Sequence, residues 1–338
     1  MSSTFGEYQL IEILGRGGAA TVYRALGPRR PDRPRAVALK LLHETLRNDE
    51  YASMAFQWEG QLGLLLRHPN LVRTYGIESL EGQTALVLEY VEGPTLLALH
   101  HQLQQAPWVT SDQYVAATLV AQVCRGLGAL HSVHDEDGAP LHCVHRDVSL
   151  GNVVVNAEGQ AKVIDLGVAY SEGHVLQTAA GTVRGKLAYM APEYLQGRPW
   201  DHRLDVWSAG VVLWEMATGR RLFRRASPSE TVAAVFTAAV PDPRALRPGI
   251  SPMLAAIVRV ALDRRPERRY ASMEEMANDL DAVVAEASPY DAHAVSAWLG
   301  RLAWESQSGV HEVAHDAAPL EGRDDTTRRA FVGGIRHG

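Results

Sequence analysis

The first part of the chain alternates short apolar runs with polar turns, a pattern that predicts a β-sheet. One longer segment, residues 51–67, has the apolar spacing of a helix and stops at the sequence His68-Pro69-Asn70. We therefore expect a sheet accompanied by one main helix. The predicted strands lie at residues 8–15, 21–25, 36–42, 71–78 and 84–91.

Helical spacing takes over after Gly93-Pro94. A long amphipathic helix is predicted at 111–132, with Ser111 as its N-cap, and helices dominate from 201 to 286. Between these regions, two short strands at 153–155 and 161–164 frame a loop. A strand-rich front followed by a helix-rich rear predicts an α+β fold with two lobes.

The same change of pattern predicts the domain boundaries. Residues 1–92 are expected to form the first lobe and residues 93–287 the second, joined near Glu89–Gly93. Residues 288–338 are expected to form a tail with one helix at 293–304 and a polar, disordered end. This tail offers a place for partner binding.

Composition narrows the function classes. The chain has 338 residues, 46% of them hydrophobic, and a formal net charge of -6, so nucleic acid is not the expected partner. No apolar run approaches the roughly 18 residues that span a bilayer, and the polar N-terminus lacks the layout of a signal peptide. Cys124 and Cys143 have no metal-ligand spacing. We therefore expect a soluble, cytoplasmic protein in a reducing compartment.

Lysine is rare in this chain and occurs only at positions 40, 162 and 186. Lys40 lies in the apolar run Val37–Leu42, where an unpaired ammonium is costly. Glu59, on the predicted helix that follows, is its obvious partner. The alternative is a lysine on an edge strand that points to water.

A glycine-rich turn, Gly15–Val22, separates the first two predicted strands. Glycines allow a backbone to approach phosphates closely and to direct N–H groups at them. Taken alone, an ordinary β-turn explains this sequence equally well.

Two further motifs carry candidate chemistry. His145-Arg146-Asp147 is followed by Asn152, and the aspartate can accept the proton of an incoming hydroxyl while the asparagine binds Mg²⁺ through its carbonyl oxygen. Asp165 follows a short apolar strand, where its carboxylate can bind a Mg²⁺ ion that bridges phosphates. A capping aspartate or a surface turn explains each motif singly, but not their order and spacing together.

With Ala191-Pro192-Glu193 and the segment Asp205–Gly210 added, the motif set resembles the Hanks-type, eukaryotic-like bacterial serine/threonine protein kinases over residues 8–285. The resemblance implies a bilobal kinase fold. An ATP-binding lobe with an antiparallel sheet and one main helix precedes a mostly helical lobe for catalysis and substrate binding.

The resemblance also implies the residue roles. Asp147 is the expected catalytic base, Lys40 pairs with Glu59, and Asn152 and Asp165 hold Mg²⁺, with Mn²⁺ as the alternative. Leu88 is the gatekeeper, and the backbone of Glu89 and Val91 binds adenine. The expected ATP contacts are Leu14, Gly15, Gly17, Gly18, Val22, Ala38, Lys40, Leu88, Glu89, Val91, Val154 and Asp165.

Further roles follow from the same resemblance. Glu193 and Arg269 are expected to form a structural ion pair, and Asp205 to brace the catalytic loop. Arg146 is expected to bind a phosphate on the activation loop, with Thr182 as the first candidate site and Thr178 as the second.

The chain departs from the family pattern in four respects. Ala20 replaces a glycine of the phosphate loop. Ser149 replaces the lysine that usually follows the catalytic aspartate by two residues, and Lys186 replaces a threonine of the substrate-docking segment. We predict that Lys186 supplies the missing charge with Ser149 as its small partner; the alternative is a solvated lysine. The fourth departure is Gly63 and Thr74, which stand where the family has larger apolar side chains.

The expected function is transfer of the γ-phosphate of Mg-ATP to serine or threonine hydroxyls of protein substrates, including the enzyme itself. One alternative is a pseudokinase or scaffold that binds nucleotide weakly. Another is a small-molecule phosphotransferase, although such enzymes lack the docking segment that ends at Ala191-Pro192-Glu193.

Overall fold

The computed structural model describes residues 4–80, 82–105, 107–110, 112–166, 186–287 and 292–301. The predicted N-cap Ser111 and the predicted phosphorylation sites Thr178 and Thr182 lie outside these residues. Most of the predicted partner-binding tail also lies outside them.

The front lobe is a six-stranded antiparallel sheet with the order β1-β2-β3-β4-β6-β5. All five predicted strands are present, and β1 is an addition that the sequence pattern did not indicate. The strand predicted at 71–78 begins only at Thr74, because Leu71 and Val72 instead contact Val163 of the rear lobe. The strands are β1 (Thr4–Phe5), β2 (Tyr8–Arg16), β3 (Ala20–Leu26), β4 (Ala36–Leu42), β5 (Thr74–Leu80) and β6 (Gln83–Glu89).

The rear lobe is mostly helical and carries one small hairpin, β7 (Val153–Val155) with β8 (Ala161–Val163). Among its helices, α2 was not predicted from the sequence. The α-helices of the described residues are α1 (Glu50–Leu65) in the front lobe and α2 (Leu96–Gln105), α3 (Asp112–His131), α4 (Pro192–Leu195), α5 (Arg203–Thr218), α6 (Pro228–Thr237), α7 (Pro243–Leu246), α8 (Pro252–Ala261), α9 (Met273–Glu286) and α10 (Ala292–Arg301) after it.

Alternation along β4 sorts its side chains onto the two faces of the sheet. Val37, Leu39 and Leu41 pack into one apolar cluster, whereas Ala38 and Leu42 pack into a second cluster that includes Phe56 of α1. Lys40 shares the second face because it is two residues from each of them. The strand period therefore directs the lysine toward α1.

The rear lobe is built around α5, whose residues from Leu204 to Thr218 are all buried. A helix that is enclosed on every side must be almost entirely apolar or have paired polar groups. Trp207 of α5 stacks on Phe223 at 5.5 Å between ring centroids, and α3 packs against both α5 and α9. The predicted α+β class is confirmed, with a sheet-rich front lobe and a helical rear lobe.

The helix predicted at 293–304 is present as α10 (Ala292–Arg301), and residues 302–304 lie outside the described residues. It packs on the first turn of α3, where Trp298 Nε1 donates a 2.9 Å hydrogen bond to Asp112 Oδ1 and Arg301 contacts the same oxygen. Within the described residues, every helix is too short or too polar to cross a membrane.

Candidate active site

The cleft is the region between the two lobes where β4 faces the segment after β8, and at its centre an ammonium lies between two carboxylates. Lys40 Nζ lies 2.6 and 2.8 Å from the two carboxylate oxygens of Glu59 and 2.8 Å from Asp165 Oδ1. Lys40 comes from β4, Glu59 from α1 and Asp165 from the segment after β8. Lys40 therefore links the front lobe to the rear lobe.

Electrostatics in this cluster keep Lys40 charged. Burial opposes an ammonium, but Asp165 and Glu59 outweigh it and raise the pKa of Lys40 well above its ordinary value. Burial likewise acts against ionisation of Asp165, yet Lys40 and Lys186 hold the pKa of that carboxyl well below its usual range. For Glu59 burial prevails over the attraction of Lys40 and raises the pKa to about 7. Asp165 is therefore the carboxylate that stays ionised.

An apolar surface adjoins Lys40 on the same face of the sheet. Val22 of β3 lies opposite Lys40, and Leu88 of β6 lies opposite Ala38, so these side chains share the face. Leu88, Ala38 and Val154 are buried, and Leu14 packs at the edge of the same cluster. The surface suits a flat, uncharged ring.

The glycine-rich turn joins β2 and β3 at the edge of this surface. Gly17 N donates a 2.8 Å hydrogen bond to Ala20 O, which closes a tight turn around Gly18. Ala20 is buried and packs into the cluster behind the turn. Gly15 pairs with Val22 in the hairpin, so the turn starts beside the apolar surface.

The loop that carries Asp147 is held by a buried aspartate of α5. Asp205 accepts hydrogen bonds from the backbone N–H groups of His145 and Arg146 at 2.8 and 2.9 Å, and His131 Nε2 lies 2.7 Å away. Arg146 has φ of 65°, a strained left-handed conformation that these bonds stabilise. The loop is therefore set in place before any ligand arrives.

Asn152 fixes Asp147 from within the loop. Its Nδ2 donates to Asp147 O at 2.7 Å and to Asp147 Oδ2 at 2.8 Å. Since the amide nitrogen is used in this way, the amide oxygen faces away from Asp147 and is available to a cation. An amide oxygen and the ionised Asp165 are ligands that suit Mg²⁺, so the residues present fit this metal. No cluster of three or more His, Cys, Asp or Glu side chains suited to a metal occurs in the described residues.

Lys186, one of the positions at which the chain departs from the family pattern, contacts the loop of Asp147. Lys186 Nζ donates to Asp147 Oδ2, across 39 residues of sequence. Ser149 is buried two residues after Asp147. The cleft thus contains a second ammonium close to the first.

Two predicted residues outside the cleft are also in contact. Arg269 donates to both carboxylate oxygens of Glu193 at 2.7 Å, and both side chains are almost fully buried.

Arg146 lies with its guanidinium carbon 4.6 Å from the centroid of the Trp200 ring. Its predicted phosphate partners, Thr178 and Thr182, are outside the described residues.

Sequence reasoning missed two polar groups beside the site. Lys162 of β8 donates from Nζ to Glu89 Oε2 at 3.1 Å. This bond holds the side chain of Glu89 at the junction of the two lobes. The scarcity of lysine was the available indication. Tyr189 OH donates to Glu215 Oε2 at 2.8 Å, and the local sequence pattern does not predict that bond.

Several known proteins are similar to this chain in sequence. A family model described as the protein kinase domain matches residues 8–280. The chain is 34% identical over 291 residues to the tyrosine-protein kinase MasK of Myxococcus xanthus, an alignment that covers 83% of this chain and 44% of that protein. It is 32% identical over 292 residues to the serine/threonine-protein kinase Pkn1 of Myxococcus xanthus, and this alignment covers 83% of this chain and 39% of Pkn1.

A mycobacterial relative aligns over more of the chain. The serine/threonine-protein kinase PknB of Mycobacterium tuberculosis is 33% identical over 338 residues, with 97% of this chain and 51% of that protein covered. The chain therefore spans about half the length, or less, of these curated relatives.

Proposed function

The chain belongs to the protein kinase family, and from that premise we propose that it transfers the γ-phosphate of ATP to serine and threonine hydroxyls of proteins, itself included. The observation that carries the proposal is the bonding of Lys40 to both Glu59 and Asp165, in a cleft that also contains Asp147. Such a set can hold phosphates at one end and a nucleophile at the other.

Asp147 acts as the base in this proposal. The oxygen of the substrate hydroxyl bonds to the γ-phosphorus, the bond from that phosphorus to ADP breaks, and the hydroxyl proton passes to Asp147. Asn152 already binds Asp147 Oδ2, so Oδ1 is the atom we assign to the hydroxyl. Lys40 binds the phosphates that remain on ADP, and Glu59 orients Lys40.

Asn152 and Asp165 are the residues that we assign to Mg²⁺, with Mn²⁺ as the alternative. When bound there, the ion would neutralise negative charge on the phosphates. Asp165 is suited to this role since its pKa lies well below the ordinary range, so the carboxylate is ionised at neutral pH.

The apolar face beside Lys40 is assigned to adenine. In this assignment Val22, Ala38 and Val154 enclose the ring, Leu88 closes the rear, and Leu14 covers the entrance. The backbone of Glu89 and Val91 forms the adenine hydrogen bonds, and Gly15, Gly17 and Gly18 cover the phosphates. The side chain of Glu89 is held by Lys162, which supports a defined backbone at this point.

Serine and threonine are the proposed acceptors because Pkn1 and PknB are named as serine/threonine kinases. The name of MasK makes tyrosine the second candidate. We also propose a cytoplasmic site of action, since the reaction consumes ATP and both cysteines are free and buried. A pseudokinase is disfavoured by the charged cluster of Lys40, Glu59 and Asp165, because burying three charged groups is costly in a lobe that makes no catalytic use of them.

The test is transfer of label from γ-labelled Mg-ATP by the purified full chain to itself and to a serine/threonine peptide library. Asp147→Asn is expected to lower transfer by a factor of about 100 or more while ATP still binds. Asp242→Asn removes an exposed charge and keeps a side-chain oxygen at the N-cap of α7, so it is the matched control and should leave transfer unchanged. Phosphoamino acid analysis identifies the acceptor, and exclusive phosphotyrosine would replace the serine/threonine proposal.

ATP binding without label transfer by the wild-type chain would favour the pseudokinase alternative. Equal transfer by wild type and Asp147→Asn would remove Asp147 from the role of base.

A further inference from the structure

Lys186 begins a segment that is anchored to the rear lobe. The next three residues, Leu187–Tyr189, form a short 3₁₀ helix and are all buried. Ser208 Oγ of α5 donates a 2.8 Å hydrogen bond to Tyr189 O, and Tyr189 OH is bonded to Glu215 of the same helix. The side chain of Lys186 therefore starts from a fixed backbone.

From this backbone the side chain of Lys186 points into the cleft. Its Nζ contacts Asp147 Oδ2, and only 28% of the side chain is exposed. A lysine solvated on the outside of the docking segment would be neither enclosed nor bonded to the proposed base. The geometry therefore favours a role inside the cleft.

The surroundings keep this lysine charged. Burial opposes the ammonium of Lys186, but Asp147 and Asp165 outweigh it and raise the pKa above the ordinary value. Lys186 is thus within electrostatic range of both the proposed base and the proposed metal ligand. It is also close enough to Lys40 for the two ammonium groups to repel each other.

The part of the loop that follows Asp147 places no positive charge of its own beside Asp147. All four residues between Asp147 and Asn152 are uncharged, and Ser149 among them is short and buried. During phosphoryl transfer, charge spreads over the three outer oxygens of the phosphoryl group. A fixed cation beside these oxygens stabilises the transition state more strongly in a cleft than in water.

We propose that Lys186 is a catalytic residue that supplies this positive charge from the substrate-docking segment. In this proposal the small side chain of Ser149 leaves room for the side chain of Lys186. The inference rests on the proposed kinase function. Lys186 stays protonated throughout: when the substrates bind, its ammonium moves from Asp147 to the phosphoryl oxygens, and the hydroxyl proton passes to Asp147. The charge thus arrives from a different segment of the chain than the base.

The first test measures kcat and the KM for ATP and peptide in Lys186→Met, which keeps the length and removes the charge. We expect kcat to fall by a factor of about 30 or more, with the KM for ATP within a factor of about three, since the charge acts in the transition state. Lys186→Arg should retain kcat within a factor of about ten. Arg244→Met is the control, because Arg244 is exposed and pairs only locally with Asp242.

The second test returns the charge to the loop. Lys186→Thr alone should be as impaired as Lys186→Met, and Ser149→Lys combined with Lys186→Thr should raise kcat at least about tenfold above Lys186→Thr. A merely structural role for Lys186 predicts no such recovery. Failure of the double variant to exceed Lys186→Thr overturns the proposal, whatever the stability of Lys186→Met.

These outcomes are separable from those of the proposed function. If Lys186→Met keeps kcat within a factor of about three while Asp147→Asn is inactive, the chain is a kinase and the role of Lys186 is wrong. If the wild-type chain transfers no phosphate to protein, the proposed function fails first, and the role of Lys186 fails with it.

Discussion

The side chain of Thr74 fills the space that a β-carbon on Gly63 would need, because an ideal Cβ at position 63 lies 2.1 Å from Thr74 Oγ1 and 3.0 Å from Thr74 Cβ. Leu166, next to Asp165, is 3.4 Å from the same point. The two small residues that depart from the family pattern therefore fit each other. Together they set how closely α1, with Glu59, approaches β5.

We predict that Gly63→Ala destabilises the protein by about 1–3 kcal/mol, since overpacking outweighs the gain in helix propensity. The activity should fall as well because α1 carries Glu59. Gly128→Ala is the matched control: in α3 the nearest atom to the added carbon is 3.7 Å away, so that variant should be neutral or slightly more stable. Urea unfolding measures both, and equal stability of the two variants would contradict the packing account.

A buried histidine gives the fold a specific sensitivity to acid. His100 of α2 is fully enclosed, and its Nε2 lies 3.4 Å from Arg220 O. Burial, with a smaller effect from Arg221, lowers the pKa of His100 to about 4. Between about pH 6.5 and 4 the unfolded chain binds a proton that the folded chain does not, so stability falls as pH decreases through this window.

We therefore expect wild type to lose about 2 kcal/mol more than His100→Leu between pH 7 and pH 5. The free energy of unfolding in urea at each pH is the measurement. His101→Leu, at the exposed neighbouring position, should keep the wild-type slope. Parallel pH profiles for wild type and His100→Leu would show that His100 is protonated in the folded state.

Helix α10 should contribute to global stability although it lies beyond the matched kinase region. Val295, Trp298 and Leu299 are buried, and Trp298 Nε1 satisfies Asp112 Oδ1 at the start of α3. Trp298→Ala is expected to cost about 3–5 kcal/mol in urea unfolding, through lost packing and the loss of one hydrogen bond to a buried carboxylate. Ser296→Ala, which removes one exposed hydrogen bond to Ala157 O, should cost less than about 0.5 kcal/mol. An unfolding transition of α10 separate from that of the lobes would contradict this expectation.

The pair of Glu193 and Arg269 is expected to matter most when only one partner is removed. Arg269→Met leaves Glu193 buried and uncompensated, and should cost about 3–5 kcal/mol. Adding Glu193→Gln should recover part of that loss, since no buried charge then remains. The free energies of the two single variants and the double variant form the cycle. Additive losses would show that the two side chains do not stabilise each other.

Local spacing along the chain was sufficient for much of the fold. Alternation over β4 predicts that Lys40 shares a face of the sheet with Ala38. The five-residue spacing between Asp147 and Asn152 lets the amide of Asn152 reach the carboxylate of Asp147. Both follow from backbone geometry over a few residues, which the sequence determines directly. Helix α2 was missed although its buried leucines, Leu96, Leu99 and Leu103, have helical spacing, because the helix is only ten residues long and its second half is polar.

Contacts between distant segments were decided only by the tertiary structure. The sequence singled out Lys186 and Asp147 by their residue types, but the bond between them spans 39 residues and depends on how the docking segment packs on α5. The bond from Trp298 to Asp112 spans 186 residues, and no local pattern predicts it. Periodicity records which face of an element is buried, whereas the partner on that face depends on the packing of the whole chain.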